Sequence, residues 1–369
     1  MGLIENINMN KSFLSSLKIK VEEVKNSKDI VVFTISSTSD GRMEPYLTPV
    51  RKSKGYCVFG CVLYDEFLLP EIIDIIDGEV NWIAVDAEKK LSIEMFFNEK
   101  NNFISEKNNE SISTGNLSRL VANRSKKTEL LEYKANDITV DAIWNLCSDH
   151  FRCLSGLRAG IIGAGNVGSK LALKFVESGV DVSIYRRNNY KAHEISNGLN
   201  LIKPEATMSS IRVANSPISC AFSADIVIGT NSGGPLINES TLAAASKCAI
   251  IVDAGKGSLD YSAIDYAQSK GIVIHRLDVG YQLLSTLIAN INYLQNFHKH
   301  RGEKKWNGKR IVAGGYFGFN GDVVIDSISS PKSVFGYADG QGNIRNALSE
   351  EEKIFIEEVK RAIDDKKIW

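Results

Sequence analysis

The sequence lacks the net charge that would attract a polyanionic partner. Lysine plus arginine and aspartate plus glutamate each number 44 in 369 residues, so the formal net charge is zero. A general nucleic-acid-binding surface needs an excess of basic residues. We therefore expect no nucleic-acid partner, although this balance is compatible with a local basic pocket for a small anion.

Long apolar segments are also missing. No run approaches the roughly 20 apolar residues needed to span a bilayer. Residues 1–15 are polar, with Glu5, Asn6 and Lys11 among them, and lack the apolar segment of a secretory signal. We expect a soluble, cytoplasmic protein without membrane association.

Metal-binding spacings are absent from the cysteines and histidines. The six cysteines are scattered, and Cys57 and Cys61 lie four apart in an apolar, strand-like run. Residues four apart share a face of a strand, but they are too far apart to bind one metal ion easily. We predict no metal site and interpret the cysteines as buried, reduced thiols. The five histidines form no pattern.

Two domains are expected from the length and from a composition of 43% hydrophobic and 24% charged residues. The first, residues 1–155, is predicted to be an α/β or α+β domain that binds a substrate or partner. Pro70 and Gly78 bracket a short predicted helix, and the polar residues 98–116 predict a surface loop. Segments rich in β-branched and aromatic residues predict strands at 29–36, 56–63, 80–86 and 91–97.

Strand and helix patterns alternate from residue 158 to about residue 277. This alternation predicts a doubly wound parallel sheet with helices on both faces, within a domain at 156–300 that ends in a helix at 279–298. The remaining residues, 301–369, are predicted to form a hairpin and a helix that pack on the first domain. The hairpin would join 310–317 to 322–328 around an Asn320-Gly321 turn, and the helix would begin at the capping box Ser349-x-x-Glu352.

A glycine fingerprint lies at the start of this second domain. Gly163, Gly165 and Gly168 form the pattern G-x-G-x-x-G between a strand and a helix, with Ala164, Asn166 and Val167 in the intervening positions. The first glycine permits a tight turn, the second lets the backbone approach a pyrophosphate, and the third lets the helix pack closely on the strand. The helix N-terminus then offers N–H groups to the phosphates. These features predict a Rossmann domain that binds a dinucleotide.

Two arginines follow the second strand of this predicted domain. NAD-selective sites place an acidic residue there to bind the ribose 2′-hydroxyl, whereas this chain has Arg186, Arg187 and Asn188. Guanidinium groups hold a 2′-phosphate through charge-assisted hydrogen bonds. The sequence therefore predicts NADP as the cofactor, with two solvated arginines as the alternative.

The second domain resembles the cofactor domains of shikimate dehydrogenase and glutamyl-tRNA reductase. Residues 186–192 match part of the Asn-Arg-Thr-x-x-Lys-Ala motif of those families, at the Arg, Lys and Ala positions. Residues 224–235 look like their strand and loop beneath the nicotinamide ribose, so the resemblance implies cofactor contacts for Thr230, Asn231 and Ser232. Residues 250–271 are similar to part of the A component of dipicolinate synthase.

The resemblance covers residues 158–298. The first 150 residues contain neither the catalytic stretch of the shikimate family nor the cysteine motif of the reductase, so the resemblance implies a fold and a cofactor and leaves the substrate open.

Candidate catalytic residues follow from where such sheets bind ligands, outside the carboxyl ends of the strands. Lys256 lies there between two glycines, and partial burial would bring its pKa into a range useful for proton transfer. Asp253 and Asp278 are candidates to orient it, and Lys52 is the next candidate base. The alternative is a solvated Lys256 and a turn-forming Asp253.

The first domain offers candidates to bind an anionic substrate, namely Arg42 and the basic segment 51–54. A solvated run of charges is the alternative for both.

These predictions favour an NADP-dependent oxidoreductase that acts on a small, anionic carbonyl, imine or amino-acid-like substrate in an interdomain cleft. A homodimer is the candidate assembly. Two alternatives stay open: a non-catalytic nucleotide sensor or assembly partner, and an enzyme that keeps its cofactor bound for net lyase or transferase chemistry.

Overall fold

The computed structural model describes residues 3–38, 44–64, 68–88, 117–231 and 233–365. The chain divides into two compact units, Met1–Thr286 and Leu287–Trp369. The predicted domain boundary at 155/156 falls inside the first unit, between its two sheets. The strand predicted at 91–97, the loop predicted at 98–116, Arg42 and Ser232 lie outside the described residues.

The first sheet has a parallel centre. Four parallel strands lie in the order β4-β1-β5-β6, and two short strands, β2 and β3, run antiparallel along β4. The strands are β1 (Ile30–Ser37), β2 (Tyr46–Leu47), β3 (Arg51–Ser53), β4 (Tyr56–Leu63), β5 (Trp82–Asp86) and β6 (Glu129–Tyr133). The helices of this part are α1 (Leu3–Lys25), α2 (Leu69–Ile76), α3 (Ser118–Arg124) and α4 (Ala135–Phe151). The strands predicted at 29–36, 56–63 and 80–86 are confirmed, and the region is α/β.

Apolar packing explains why the short helix α2 forms where it does. Pro70 lies in its first turn, and Gly78, just beyond its end, has a φ of +90° that few other residues tolerate. Its buried residues are Leu69, Ile72, Ile73 and Ile76. Each fully buried aliphatic side chain contributes about 1.5–3 kcal/mol, so packing on the first sheet stabilises a helix too short to persist alone.

The second sheet is a Rossmann sheet. Its six strands are all parallel and lie in the order β9-β8-β7-β10-β11-β12, which is the 3-2-1-4-5-6 order of dinucleotide-binding sheets. The strands are β7 (Arg158–Ile162), β8 (Asp181–Tyr185), β9 (Ile211–Val213), β10 (Ile226–Gly229), β11 (Ile250–Asp253) and β12 (Ile274–Arg276). The strand order reverses between β7 and β10, where such sheets bind their ligands. The predicted doubly wound fold is confirmed.

Six helices accompany this sheet in the described residues. They are α5 (Asn166–Glu177), α6 (Asn189–Ile202), α7 (Pro217–Ala221), α8 (Glu239–Ala244), α9 (Tyr261–Lys270) and α10 (Gly280–His300). The helix predicted at 279–298 is therefore α10, which begins in the first unit and ends in the second.

Helices α4 and α5 connect the two sheets of the first unit. Lys170 on α5 lies 2.6 Å from Asp137 on α4 and 3.1 Å from Glu88, just beyond β5. One turn further along α5, Lys174 pairs with Asp141 and lies over the ring of Trp144. These contacts hold the carboxyl end of the first sheet next to the helix of the glycine fingerprint.

In the second unit, the hairpin lies at a different position from the predicted one. Its sheet has the order β13-β14-β15-β16, and β14 and β15 pair in parallel, so 310–317 and 322–328 do not form a hairpin around Asn320-Gly321. The hairpin joins β13 to β14 through Asn307-Gly308, with φ values of +45° and +80°. The strands are β13 (Gly302–Trp306), β14 (Lys309–Ala313), β15 (Val323–Ile325) and β16 (Val334–Tyr337).

The last helix, α11 (Glu350–Asp364), packs on this sheet and begins as predicted. The side chain of Ser349 accepts a hydrogen bond from the Glu352 N–H, and the Glu352 carboxylate accepts one from the Ser349 N–H. The capping box is confirmed. No helix in the described part of the chain is long and apolar enough to cross a membrane.

The cysteines are only in part as predicted. Cys57, Cys61, Cys147 and Cys220 are buried, and burial raises the pKa of Cys147 and that of Cys220 to about 12. Cys153 and Cys248 are exposed, so the prediction of burial is wrong for these two. Both lie in connecting segments outside the helices and strands, and such segments usually run over the surface.

Candidate active site

The fingerprint loop and the loop after β10 meet at the switch point of the Rossmann sheet. Gly163 has a φ of +117°, and a side chain there would come within 2.7 Å of the Asn231 backbone nitrogen. The Thr230 hydroxyl donates a 2.6 Å hydrogen bond to the Gly163 carbonyl. Glycine is therefore required for the turn and for the close contact between the two loops.

Gly165 and Gly168 have opposite surroundings. A Cβ on Gly168 would lie 2.4 Å from the Gly163 carbonyl oxygen, so its absence lets α5 pack closely on the turn. A Cβ on Gly165 would meet no described atom within 4 Å, and the space beside its backbone is open. Helix α5 begins directly afterwards with Asn166 and Val167, so its N-terminal N–H groups border the same space. The geometry fits a pyrophosphate at this position.

Each arginine after β8 contacts a backbone carbonyl near this space. Arg186 donates a 2.6 Å hydrogen bond to the carbonyl of the buried Ala164, inside the fingerprint loop. Arg187 donates a 2.9 Å hydrogen bond to the Gly233 carbonyl, in the loop after β10. The side-chain oxygen of Asn188 caps α6 by accepting a hydrogen bond from the Lys191 N–H. This oxygen is therefore engaged at the helix N-terminus.

Two polar side-chain atoms lie buried between the loops that follow β10 and β11. The Asn231 amide donates to the Gly234 carbonyl, but its Oδ1 atom has no hydrogen-bond partner among the described residues. The Ser258 hydroxyl, in a fully buried residue, also lacks a partner there. A Cβ on Gly255 would lie within 2.5 Å of both the backbone carbonyl oxygen of Asn231 and Ser258 Oγ, so the two loops approach each other closely at Gly255.

Lys256 and Asp253 lie at the carboxyl end of β11, but they do not contact each other. The Asp253 carboxylate accepts hydrogen bonds from the N–H groups of Gly257, at 2.8 Å, and Ser258, at 3.3 Å. Asp253 therefore shapes the loop, as the alternative interpretation expected. Lys256 is exposed and adopts a left-handed conformation with a φ of +58° between its two glycines.

The basic segment at 51–54 approaches the Rossmann sheet through Arg51. The Arg51 guanidinium lies 3.5 Å from the Asp278 carboxylate, beyond β12, and a Cβ on Gly280 would lie 2.2 Å from Arg51 Cζ. Lys52 lies instead 3.4 Å from Asp29, before β1. Because neighbouring residues of a strand point to opposite faces, only one of the two reaches this edge. The structure therefore gives no support to Lys52 as a base at the cofactor site.

The residue types do not indicate whether Arg51 or Lys52 reaches the Rossmann sheet. The alternation of side chains along a strand indicates that only one of them can do so. Glu88, which faces the fingerprint helix through Lys170, was missed altogether. No cluster of three or more histidine, cysteine, aspartate or glutamate side chains in the described ranges has the geometry of a metal site.

With this geometry established, comparison with known proteins identifies the second sheet. Residues 131–282 match the model of the family "D-isomer specific 2-hydroxyacid dehydrogenase, NAD binding domain". These residues form an NAD-binding Rossmann domain. The match lies with an oxidoreductase family different from the shikimate dehydrogenase and glutamyl-tRNA reductase types suggested by the arginine segment. No curated protein matches the sequence.

Several solved structures match the chain at low similarity. The A component of dipicolinate synthase from Bacillus halodurans has 13% identity and a TM-score of 0.33, over 72% of this chain and 99% of that one. An anabolic ornithine carbamoyltransferase from Campylobacter jejuni has 15% identity and a TM-score of 0.41, over 78% and 96%. A phosphoglycerate oxidoreductase from Vibrio cholerae has 12% identity and a TM-score of 0.29, over 65% and 81%.

Proposed function

We propose that the protein is an NADP-dependent oxidoreductase acting on a small, anionic carbonyl, imine or amino-acid-like substrate. The observation that carries this proposal is the open space at Gly165, bordered by the N-terminus of α5, with Arg186 and Arg187 where NAD-selective sites hold an acidic residue. The site for the substrate lies between the two sheets of the first unit, where Arg51 contacts Asp278.

The two arginines are proposed to have different roles in cofactor binding. The Arg186 hydrogen bond to Ala164 braces the fingerprint loop, so this residue supports the binding of either dinucleotide. Arg187 makes one hydrogen bond with a carbonyl and keeps other donors for a ligand, since a guanidinium has five N–H groups. A 2′-phosphate between Arg187 and the α6 N-terminus would receive charge-assisted hydrogen bonds.

Lys256 and Arg51 are proposed to serve the substrate. The bound nicotinamide would supply or accept the hydride, and the protein would position the substrate and handle the proton. Strands β11 and β12 are neighbours, so the loop of Lys256 and the Arg51–Asp278 contact lie along one edge of the sheet. Arg51 would bind the anionic group of the substrate, and Lys256 would exchange a proton with the reacting oxygen or nitrogen.

Calorimetric titration with NADPH and NADH tests the cofactor assignment. We expect tighter binding of NADPH, and we expect Arg187→Ala to weaken NADPH about 10- to 150-fold, the equivalent of one charge-assisted hydrogen bond, with NADH unchanged. Arg186→Ala should weaken both dinucleotides. Equal affinities of the wild type for the two cofactors would refute NADP selectivity.

A panel of small oxo-acids, offered with NADPH and followed by nicotinamide absorbance, tests the reaction. Arg51→Gln should raise KM for an acid more than for its neutral amide.

A non-catalytic NADP sensor is the second candidate function. It is favoured by the exposure of Lys256 and by the engagement of the Asp253 carboxylate with the backbone. Tight NADPH binding without turnover on any acid of the panel would support this candidate and exclude the first.

A further inference from the structure

The edge of the Rossmann sheet where its strands begin carries a cavity, at the opposite end of the strands from the proposed cofactor site. The cavity has a volume of about 310 Å³, which is within the range of small-molecule sites. Residues from the starts of β7, β8 and β9 line it, together with residues of α7 and of the turn that follows α7. Along β7 the two ends of the sheet are about 13 Å apart, so a small ligand here would not overlap a dinucleotide at the fingerprint loop.

The cavity exists because the connection between β9 and β10 covers little of this face of the sheet. Parallel sheets normally have helices on both faces. The helix of this connection, α7, has 5 residues, whereas α6 on the other face has 14. Helix α7 packs closely on β7, where a Cβ on Gly160 would lie 2.4 Å from the Cys220 carbonyl oxygen. Strand β9 and part of β8 stay uncovered, and the exposed Arg212 and the half-buried Ser183 lie there.

Two arginines point from the strands to this face. Arg158 on β7 is followed by Ala159, and Arg212 on β9 is preceded by Ile211, and both apolar residues belong to the core on the opposite face. Because side chains alternate between the two faces along a strand, both arginines point to the side of α7. Strand β8 lies between β7 and β9, so the backbones of the two arginines are about 10 Å apart. Their long side chains can therefore reach one small ligand from two directions.

The polar side chains of this lining offer donors that have no partner. The guanidinium groups of Arg158 and Arg212 make no ion pair or hydrogen bond with a described residue, and the same holds for the hydroxyl groups of Ser183 and Ser210. Guanidinium and hydroxyl groups donate hydrogen bonds, and those of a guanidinium to an anion are strong because they are charge-assisted. The arrangement fits the oxygen atoms of a phosphate or carboxylate group.

The carboxylates near the cavity are engaged with the backbone. Asp181 in the lining accepts a 3.1 Å hydrogen bond from the Ser210 N–H, and Asp225 beside it accepts a 3.0 Å hydrogen bond from the backbone N–H of Arg158. The Lys203 ammonium donates to backbone carbonyls in the turn before β9 and adds a positive charge there. With the two arginines, three positive groups and two negative groups surround the cavity, so it keeps a positive charge.

An aromatic ring lies in the same lining. Phe222 directly follows α7 and is 70% exposed. The next residue, Ser223, has a left-handed φ of +53°, which is unfavourable for a non-glycine residue. Backbone strain of this kind often occurs at functional sites. Since aromatic rings pack favourably on one another, Phe222 gives the cavity an apolar surface for a ring next to its donors.

We propose that this cavity is a second ligand site, which binds a small aromatic anion that carries a phosphate or carboxylate group. Arg158, Arg212 and Ser183 would donate hydrogen bonds to the oxygen atoms of the anion, and Phe222 would pack on its ring. The site lies at the opposite end of the strands from Gly165, and it does not depend on the cofactor or on the reaction proposed above.

Protection of single arginines from phenylglyoxal, which modifies guanidinium groups, tests this proposal on the full chain. Mass spectrometry reads the modification of each arginine separately, so binding of a probe at the fingerprint loop does not interfere. The aromatic probes are phenyl phosphate and benzoate, and inorganic phosphate is the probe without a ring. An aromatic probe at about ten times its Kd should slow modification of Arg158 and Arg212 about 10-fold. Arg361, an exposed arginine of α11, should be modified at an unchanged rate.

Variants test the roles of the individual side chains. Arg212→Gln should raise the probe concentration that half-protects Arg158 about 10- to 150-fold, as expected for the loss of a charge-assisted hydrogen bond. Phe222→Ser should raise this concentration for the aromatic probe and leave it unchanged for inorganic phosphate. Arg361→Gln is the matched control and should change neither value. Circular dichroism should show all three variants folded.

Three outcomes would overturn the proposal. They are equal protection of Arg361 and the two cavity arginines, unchanged protection of Arg158 in Arg212→Gln, and protection by inorganic phosphate as strong as that by the aromatic probes. The last result would mean an adventitious ion only. Selective protection by phenyl phosphate would identify a phosphate ester as the ligand, and selective protection by benzoate would identify a carboxylate. The readout involves neither cofactor nor turnover, so failure of the proposed function would leave this test intact.

Discussion

Two glycines of the fingerprint loop are expected to differ in their roles, one in ligand binding and the other in folding. At Gly165 a side chain would meet no described atom within 4 Å, whereas at Gly168 it would lie 2.4 Å from the Gly163 carbonyl oxygen. The same substitution should therefore have different consequences three residues apart. The open space at Gly165 is where we propose that the ligand binds, whereas the close packing at Gly168 stabilises the fold.

We predict that Gly165→Val abolishes NADPH binding with little change in the melting temperature. The valine side chain would occupy the space where the backbone and the pyrophosphate approach each other. Gly168→Val should instead destabilise the protein by about 1–3 kcal/mol or more, because the helix must move off the turn. Calorimetry and thermal unfolding of both variants measure this. Tight NADPH binding by a folded Gly165→Val variant would contradict the position of the phosphate site.

Lys256 combines a strained backbone with an exposed cation. Its left-handed φ of +58° costs a non-glycine residue about 1–2 kcal/mol, and such strain often occurs at functional sites. We predict that Lys256→Gly keeps or raises the melting temperature, since relief of strain offsets the added chain entropy of about 0.4–1 kcal/mol. Turnover should fall at least about 100-fold, the lower range for a positioned acid or base.

Asn307→Gly is the backbone control for this experiment. Asn307 has a similar φ of +45° in a turn of the second unit. Its replacement by glycine should therefore change the melting temperature as Lys256→Gly does, and it should leave turnover unchanged. Unchanged turnover in Lys256→Gly would end the assignment of Lys256 to catalysis.

One carboxylate links helices α2 and α3 and strand β6. Asp77, at the end of α2, accepts hydrogen bonds from the Ser125 hydroxyl and from the N–H groups of Lys126, Lys127 and Thr128, in the turn between α3 and β6. Burial raises the pKa of Asp77, but these hydrogen bonds outweigh it and hold the pKa well below its usual range. The ionised carboxylate thus stabilises the edge of the first sheet.

We predict that Asp77→Ala destabilises the protein by about 1.5–3 kcal/mol at pH 7, the range for hydrogen bonds to a charged group. Because the folded pKa is depressed, the stabilisation is complete above the unfolded pKa of about 3.9 and is lost as the pH falls below it. Denaturant unfolding at pH 7 and below pH 4 measures this difference. Asp74→Ala is the control, since its exposed pair with Arg124 is screened by solvent and should contribute much less to stability.

The elements also show how far local sequence determines structure. Strands β1 and β4 are rich in β-branched and aromatic residues and were predicted within a residue. Strand β6 has exposed glutamates at two of its five positions and was missed, because it forms by pairing with β5. Helix α1 was also missed, although its buried residues follow a helical spacing at Phe13, Leu17, Val21 and Val24.

The turn signals of the second unit were ambiguous for a physical reason. Asn307-Gly308 and Asn320-Gly321 are the same dipeptide, and both precede a strand. Only the first joins two strands that pair with each other, because β15 enters the sheet parallel to β14. Turn chemistry specifies a reversal of the chain, whereas the choice of neighbouring strand depends on tertiary packing that no local pattern contains.

At the scale of the whole molecule, the sequence predicts the Rossmann domain and its candidate cofactor residues, but it does not predict which residues of the two sheets come together beside them. The glycines, Arg186 and Arg187 lie within one strand–helix–strand segment, whose local pattern specifies their positions. The contact between Arg51 and Asp278 joins residues far apart in the sequence, from two different sheets. The sequence indicates each of these two residues as a candidate, but only the tertiary structure brings them together.

The two sheets of the first unit are connected through Lys170, and the ionisation of this lysine gives a test of that connection. Burial lowers the pKa of Lys170, but hydrogen bonds to Asp137 and Glu88 outweigh this effect and raise it. A lysine with a raised folded pKa contributes stability that is complete below the unfolded pKa of about 10.4 and is lost as the pH rises through the folded value. The contribution should therefore be constant from neutral pH to about pH 10.

We predict that Lys170→Met lowers the melting temperature at pH 7 to 9 and that its difference from the wild type shrinks above about pH 10.4. Removing the ammonium deprives Asp137 and Glu88, both within 3.1 Å of it, of the charge-assisted hydrogen bonds that Lys170 donates. Lys191→Met on α6, an exposed lysine whose side chain makes no ion pair in the described ranges, should change neither quantity. If the difference in melting temperature between Lys170→Met and the wild type stays constant up to pH 11, the substitution changes stability through packing. That result would refute the ionic connection between the two sheets.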